Sequence, residues 1–130
     1  MERADASAVR SLQRRLAHAD PDIVDAAVSG PFRGFVAVKG AVVGYAIAFP
    51  GPPTTLSELV VAPGSRRQGH GSALLERVAT ATDPERIVVS TPVGNEAARE
   101  FYTESGFEVD ATIEGFYDDG TDALRLLRFE

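Results

Sequence analysis

The sequence of 130 residues predicts one mixed α/β (α+β) domain, a mostly antiparallel sheet with helices on both faces. Three observations carry that expectation. Apolar residues recur at helical spacing at Val9, Leu12 and Leu16, and again at Leu74, Leu75 and Val78. Short β-branched and aromatic runs, such as Phe35 to Val38 and Leu56 to Val61, separate them. Proline and glycine punctuate the junctions, as in Pro50-Gly51-Pro52-Pro53 and Ala62-Pro63-Gly64.

In chain order, Asp5 caps a first helix running to about His18. Asp20 followed by Pro21 reads as the start of a second helix, closed by Gly30. Phe35 to Val38 and Ala41 to Phe49 form a hairpin about Lys39-Gly40, and consecutive prolines then force a loop. Leu56 to Val61 is a third strand and Gly69 to Thr80 a helix. Arg86 to Ser90 is a short strand, and Asn95 to Ser105 is a helix stopped by Gly106. Phe107 to Glu114 and Leu124 to Phe129 close the fold around the polar loop Asp118-Asp119-Gly120, giving the order ααβββαβαββ over a single domain, 1–130.

Composition narrows the function classes. Hydrophobic residues make up 44% and charged residues 25%, the balance of a packed domain rather than a disordered chain. Without cysteine there is no disulfide, thiolate metal site or cysteine nucleophile. No apolar run approaches the roughly 18 residues of a membrane span, and MERADASAVR lacks the apolar stretch of a signal peptide, so a cytoplasmic protein is expected. A net charge of −6 argues against binding nucleic acid by phosphate neutralisation. Nine acids fall between Glu96 and Asp122, whereas Arg66 and Arg67 stand together after a proline-glycine turn. No His and carboxylate cluster has metal-ligand spacing, so no metal is expected.

The most informative segment runs from Leu59 through Arg66-Arg67-Gln68-Gly69-His70-Gly71-Ser72 to Leu75, a strand entering a glycine-rich turn that opens a helix. The first turn of a helix presents unpaired N–H groups and about half a positive charge, a receptor for an anion. Gly69 and Gly71 let the backbone approach that anion or take positive φ. Each charge-assisted bond to phosphate contributes roughly 1.5–3 kcal/mol. The Lys-Ser/Thr of a P-loop is missing, as is the G-x-G-x-x-G of dinucleotide folds. A tight strand-to-helix turn without a ligand would use the same glycines.

This segment resembles the coenzyme A loop of the GNAT acetyltransferases, Arg/Gln-x-x-Gly-x-Gly/Ala, with Arg66, Gly69 and Gly71 at the matching positions. A second GNAT-like motif follows: Asn95 opens a helix that ends in Phe101-Tyr102-Thr103-Glu104-Ser105-Gly106-Phe107. The resemblance covers Gly34 to the C-terminus, with the usual first strand short or missing at Met1 to Arg3. It implies a GNAT fold, acetyl-CoA as cosubstrate, and a pyrophosphate wrapped by Arg66, Arg67, Gln68, Gly69, His70, Gly71 and Ser72. It also implies a backbone N–H of Val60 or Val61 facing the thioester carbonyl, with pantetheine pairing like a strand between the splayed third and fourth strands.

By the same resemblance Asn95 bonds the pantetheine arm, although Asn is equally a helix N-cap. Tyr102 is implied as the acid for the departing thiolate, since a phenol of pKa about 10 is protonated where a thiol of about 8.5 is leaving. Tyr102 also shares a helical face with Ala98 and Phe101, as a core residue would.

The tail resembles the ribosomal-protein alanine (RimI-like) N-terminal acetyltransferases, in which a pair of aromatics contacts the substrate; here these are Phe116 and Tyr117. Asp118 and Asp119 read as a solvated turn. Where that subfamily often has a carboxylate before the Asn-led helix, this chain has Ser90, leaving Glu58 as base unless it is an exposed strand carboxylate. His18, near a helix C-terminus, carries no assigned role, and His70 contributes backbone to the loop.

An α-amine of pKa about 7.7–8.0 is substantially neutral near pH 7.5, whereas a lysine of about 10.4 is only about 0.1% neutral. A poor base therefore favours peptide N-termini or amino-acid-like amines over protein lysines, and a peptide or protein N-terminus is the expected acceptor. A small metabolite or drug amine is the alternative acceptor, and a non-catalytic acetyl-CoA-binding protein the alternative class. Monomer and homodimer are both left open.

Overall fold

Val9 and Leu12 lie on one face of α1 (Ala6–Gln13) and are buried against the sheet, an apolar contribution of roughly 1.5–3 kcal/mol each. The computed structural model describes Met1–Glu130. The first helix stops at Gln13, short of His18. The chain tightens there, with Arg15 N–H on Leu12 C=O at 3.1 Å and Leu16 N–H on Gln13 C=O at 3.0 Å. The Gln13 side chain turns inward to donate to Asp20 C=O at 2.9 Å. That bond fixes the end of the helix more strongly than the apolar spacing through Leu16 prolongs it.

Asp20 accepts Asp22 N–H at 3.0 Å and starts α2 (Asp22–Ser29). Gly30 follows the helix with an extended backbone, and a Cβ there would lie 2.9 Å from Ala26 C=O, so close approach is what requires glycine. β1 (Arg33–Lys39) and β2 (Ala41–Phe49) form the hairpin about Gly40, whose φ is +75°. β3 (Thr54–Val61) starts two residues earlier than expected and pairs antiparallel with β2. α3 (His70–Thr82) leads to β4 (Arg86–Pro92), and α4 (Glu96–Glu104) to β5 (Glu108–Ile113) and β6 (Ala123–Phe129).

One six-stranded sheet results, in the order β1-β2-β3-β4-β6-β5, antiparallel except for β3 with β4. No strand forms in residues 1–5: Arg3–Asp5 is a 3-10 turn, and the Met1 amine donates to Gly34 C=O at 2.7 Å. One face of the sheet packs Tyr45, Ile47 and Val60 with residues of α1 and α2. The other packs Ala46, Leu56 and Val89 with Leu74, Leu75 and Val78 of α3 and Tyr102 of α4.

Two irregularities position the site. The β2–β3 register shifts so that Ile47 faces Glu58 and Ala48 faces Leu56, leaving Ser57 as the extra residue. Such a bulge re-aims the side chains beyond it. Thus Leu56 lies with α3, whereas Glu58 meets the α1–α2 side. The parallel ladder of β3 with β4 covers only Thr54–Leu56 against Ile87–Val89. Past it, β3 continues against β2 and β4 against β6, so the two strands part.

Candidate active site

The parting strands expose backbone. Ala62 N–H donates to Val43 C=O at 2.8 Å, and an antiparallel ladder alternates its bonded pairs. Val60 therefore bonds toward β2, while the N–H groups of Leu59 and Val61 point toward the opening. Of the two strand positions expected there, Val61 faces it; Val60 instead packs its side chain into the α1–α2 core. Leu59 was missed, because alternation becomes readable only once a register is known.

Beyond the strand, Pro63–Ser65 makes a 3-10 turn, and Arg66 returns its Nε to Val61 C=O at 3.2 Å. Arg67 (φ +62°) and Gly69 (φ +84°) are left-handed. This reversal brings the chain into α3 end-on, with no side chain capping it. The first intrahelical donor is Ala73, bonded to Gly69 C=O at 3.0 Å. The N–H groups of His70, Gly71 and Ser72 thus have no helical acceptor and sit at the positive end of the dipole. Unpaired donors, exposed Arg66 and Arg67, and a bare N-terminus fit a diphosphate.

The two glycines serve differently. Gly69 has open space around a would-be Cβ and is required by its φ; at Gly71 a Cβ would stand 3.1 and 3.2 Å from the Phe101 ring. Gly71 therefore lets α4 close against the start of α3. Gln68 accepts Lys39 Nζ at 3.0 Å, tying the loop to the β1–β2 turn, a link with no local signal in the sequence. His70 is half-buried, and its Nε2 is enclosed without a partner.

On α4, Asn95 accepts Ala98 N–H at 3.1 Å and so is the N-cap, which leaves its Nδ2 uncommitted. Tyr102 is buried between Phe101 and Phe107, edge to face at 5.2 and 5.4 Å. Its hydroxyl makes no hydrogen bond within the chain. Burial, with the nearby Tyr117 phenol second, pushes Tyr102 well above the usual tyrosine range and keeps it protonated.

Glu58 is not an exposed carboxylate; it is 8% exposed. Oε1 accepts the Tyr45 hydroxyl at 2.8 Å and Gln13 Nε2 at 3.0 Å. Oε2 has only long contacts, Gln13 Nε2 and Asp20 N–H, each at 3.3 Å. Burial raises the Glu58 pKa, while the bonds from Tyr45, Gln13 and Asp20 pull it partly back. Gln13, Tyr45 and Asp20 belong to this cluster through folding alone, since Gln13 and Glu58 are 45 residues apart. Ser90 is half-buried on β4, opposite Arg125 of β6.

Phe116 and Tyr117 lie in the β5–β6 connection, edge to face at 5.0 Å. Phe116 is exposed, whereas Tyr117 is half-buried under the His18 ring, stacked at 4.1 Å. Asp119 is more than a solvated turn residue: Oδ1 accepts Thr121 N–H at 2.9 Å and Oδ2 meets His18 Nε2 at 3.0 Å. No group of three or more His, Asp or Glu residues is arranged to hold a metal ion. No helix is long and apolar enough to cross a membrane.

A parallel pair that splays beside a helix end with free N–H groups, with a buried tyrosine on the next helix, is the arrangement that the sequence resemblance implies for an acyl-coenzyme A-dependent transferase. The chain belongs to the GNAT family: the model of the acetyltransferase (GNAT) domain matches residues 31–109, and the protein is an acetyl-CoA-dependent acetyltransferase. Solved structures share the fold. Ard1 from Thermoplasma volcanium is similar at 22% identity and a TM-score of 0.85, covering 99% of this chain and 93% of that one. The ribosomal-protein-S18-alanine N-acetyltransferase from Escherichia coli is 22% identical, with a TM-score of 0.82 over 99% and 90% of the two chains. An IAA acetyltransferase from Bacillus cereus is 17% identical, with a TM-score of 0.80 over 96% and 95%. No curated protein sequence matches the chain.

Proposed function

We propose that this enzyme acetylates the α-amine of a peptide or protein N-terminus. The state of Glu58 carries the reading: the carboxylate nearest the bulge is buried and already receives donors from Tyr45, Gln13 and Asp20. Burial raises the Glu58 pKa against the pull of these donors, and a carboxylate base is best served by an amine already largely neutral near pH 7.5, one of pKa about 7.7–8.0 rather than a lysine of about 10.4. The likeness in fold to the alanine N-acetyltransferase from Escherichia coli is consistent with this acceptor.

In this reading, Arg66 to Ser72 hold the pyrophosphate, Asn95 Nδ2 bonds the pantetheine, and the Val61 N–H stabilises the thioester oxygen. Phe116 and Tyr117 contact the acceptor. The neutral amine attacks the carbonyl carbon; the C–N bond forms and the C–S bond breaks. The amine proton passes through water to Glu58 Oε2, whose two bonds are the long ones. Tyr102 protonates the leaving thiolate, and solvent returns the proton from Glu58 to Tyr102.

Release of free thiol from acetyl-CoA, measured across peptides with different N-termini, N-terminally blocked lysine peptides and small amines, tests the proposal. Turnover on free N-termini, with mass spectrometry locating acetyl on the α-amine, is expected. Turnover confined to small amines would move the enzyme to metabolite or drug acetylation, and acetyl-CoA binding with no turnover would leave a binding protein.

A further inference from the structure

We propose that His18 is a positioning residue of the acceptor site, clasping the α1–α2 loop to the β5–β6 connection and thereby fixing the Tyr117 ring. The inference rests on the reading that Tyr117 contacts the acceptor. His18 and Asp119 lie 101 residues apart, and their bond at 3.0 Å is the one hydrogen bond joining the two segments. The same imidazole stacks on Tyr117 with centroids 4.1 Å apart and planes inclined by 27°.

Each segment is braced on its own side. The α1–α2 loop is tied to β3 at both ends, through Gln13 Nε2 and Asp20 N–H on Glu58. The other segment is a closed turn: Tyr117 N–H donates to Thr121 C=O at 3.1 Å, and Gly115 N–H to Asp122 Oδ1 at 2.9 Å. Two rigid pieces therefore meet at a single ring. What that ring controls is the attitude of Tyr117, whose other aromatic contact is exposed Phe116.

The contacts of the ring argue for holding rather than proton transfer. Asp119 Oδ2 is an acceptor, so Nε2 is the donor of this bond. Nδ1 is enclosed and meets no partner. An enclosed nitrogen is not open to an incoming amine or water, so the imidazole is placed to orient its neighbour.

Steady-state kinetics of the full-length enzyme separate the parts. His18→Ala removes stack and bond, His18→Phe keeps a ring without the bond, and Asp119→Asn keeps an acceptor. His18→Ala is expected to raise the acceptor KM about tenfold, with kcat within about twofold and the acetyl-CoA KM unchanged. His18→Phe and Asp119→Ala should each give a smaller rise, their combination no more than either alone, and Asp119→Asn close to none. Amide exchange in residues 115–121 should accelerate in His18→Ala. An unchanged acceptor KM with unchanged exchange would overturn the clasp. So would a loss of kcat together with the acidic limb of the pH profile, which would make His18 the base. If the wild type accepts small amines and no peptide, the KM series is run on those amines, so that failure of the peptide reading leaves the clasp to be decided by its own result.

Discussion

The Tyr45 hydroxyl donates to Glu58 at 2.8 Å beneath the bulge that turns β3 toward the α1–α2 side. Tyr45 is fully buried, and its pKa is raised by that burial and then by the Glu58 charge, so it remains a donor throughout the working range. Tyr45→Phe deletes one hydrogen bond to a charged group and should cost roughly 1.5–3 kcal/mol in urea unfolding at neutral pH. A cost near zero would mean that the tyrosine is packing alone.

Glu58 also makes stability depend on pH with a stated sign. Its folded pKa is raised, so the native state binds that proton more tightly than the unfolded chain does. Its contribution is complete below the ordinary glutamate value of about 4.3 and is lost as pH rises through the folded value. The stability of the wild type relative to Glu58→Gln should therefore increase on acidification across that window, as read from paired denaturant curves. A relative decrease would show that the bonds from Tyr45, Gln13 and Asp20 outweigh desolvation.

Tyr102→Phe removes a hydroxyl that no group in the chain engages, so folding stability should stay within about 0.5 kcal/mol and acetyl-CoA affinity should hold. Turnover should fall about a hundredfold or more if the phenol protonates the thiolate. Because its pKa lies above the usual range, no loss of activity below about pH 10 should trace to its ionisation. An unaltered rate would return Tyr102 to the core.

The two glycines of the loop proposed to hold the coenzyme separate conformation from packing. Gly71→Ala drives a methyl into Phe101 and should cost about 1–3 kcal/mol while weakening acetyl-CoA binding by calorimetry. Phe101→Leu in the same chain should recover much of that stability. Gly69→Ala meets nothing but must hold φ near +84°, a penalty of about 1–2 kcal/mol that Phe101→Leu should leave untouched.

What could be read from the sequence was local, and what could not was long-range. The loop proposed to hold the coenzyme is encoded locally: proline after the strand, Gly69 for the left-handed turn, Gly71 at the helix start. The order of elements follows from the same punctuation. Gln13 ended α1 early through bonds to Asp20 and Glu58 that no periodicity announces. The bulge at Ser57 depends on pairing with β2, so the face taken by Glu58 was invisible along β3 alone. His18 had no assigned role because its partners, Tyr117 and Asp119, come from the far end of the chain.

Asn95 can be divided atom by atom. Oδ1 caps α4 on Ala98 N–H, and Nδ2 is the free donor assigned to the pantetheine. Asp is as good an N-cap as Asn but has no N–H to give. Asn95→Asp should therefore keep the melting temperature while weakening acetyl-CoA binding, whereas Asn95→Ala should lose about 1 kcal/mol of stability as well. If Asn95→Asp binds acetyl-CoA as the wild type does, the residue is a cap and the pantetheine finds its donor elsewhere, the backbone N–H groups of Leu59 and Val61 being next along the opening.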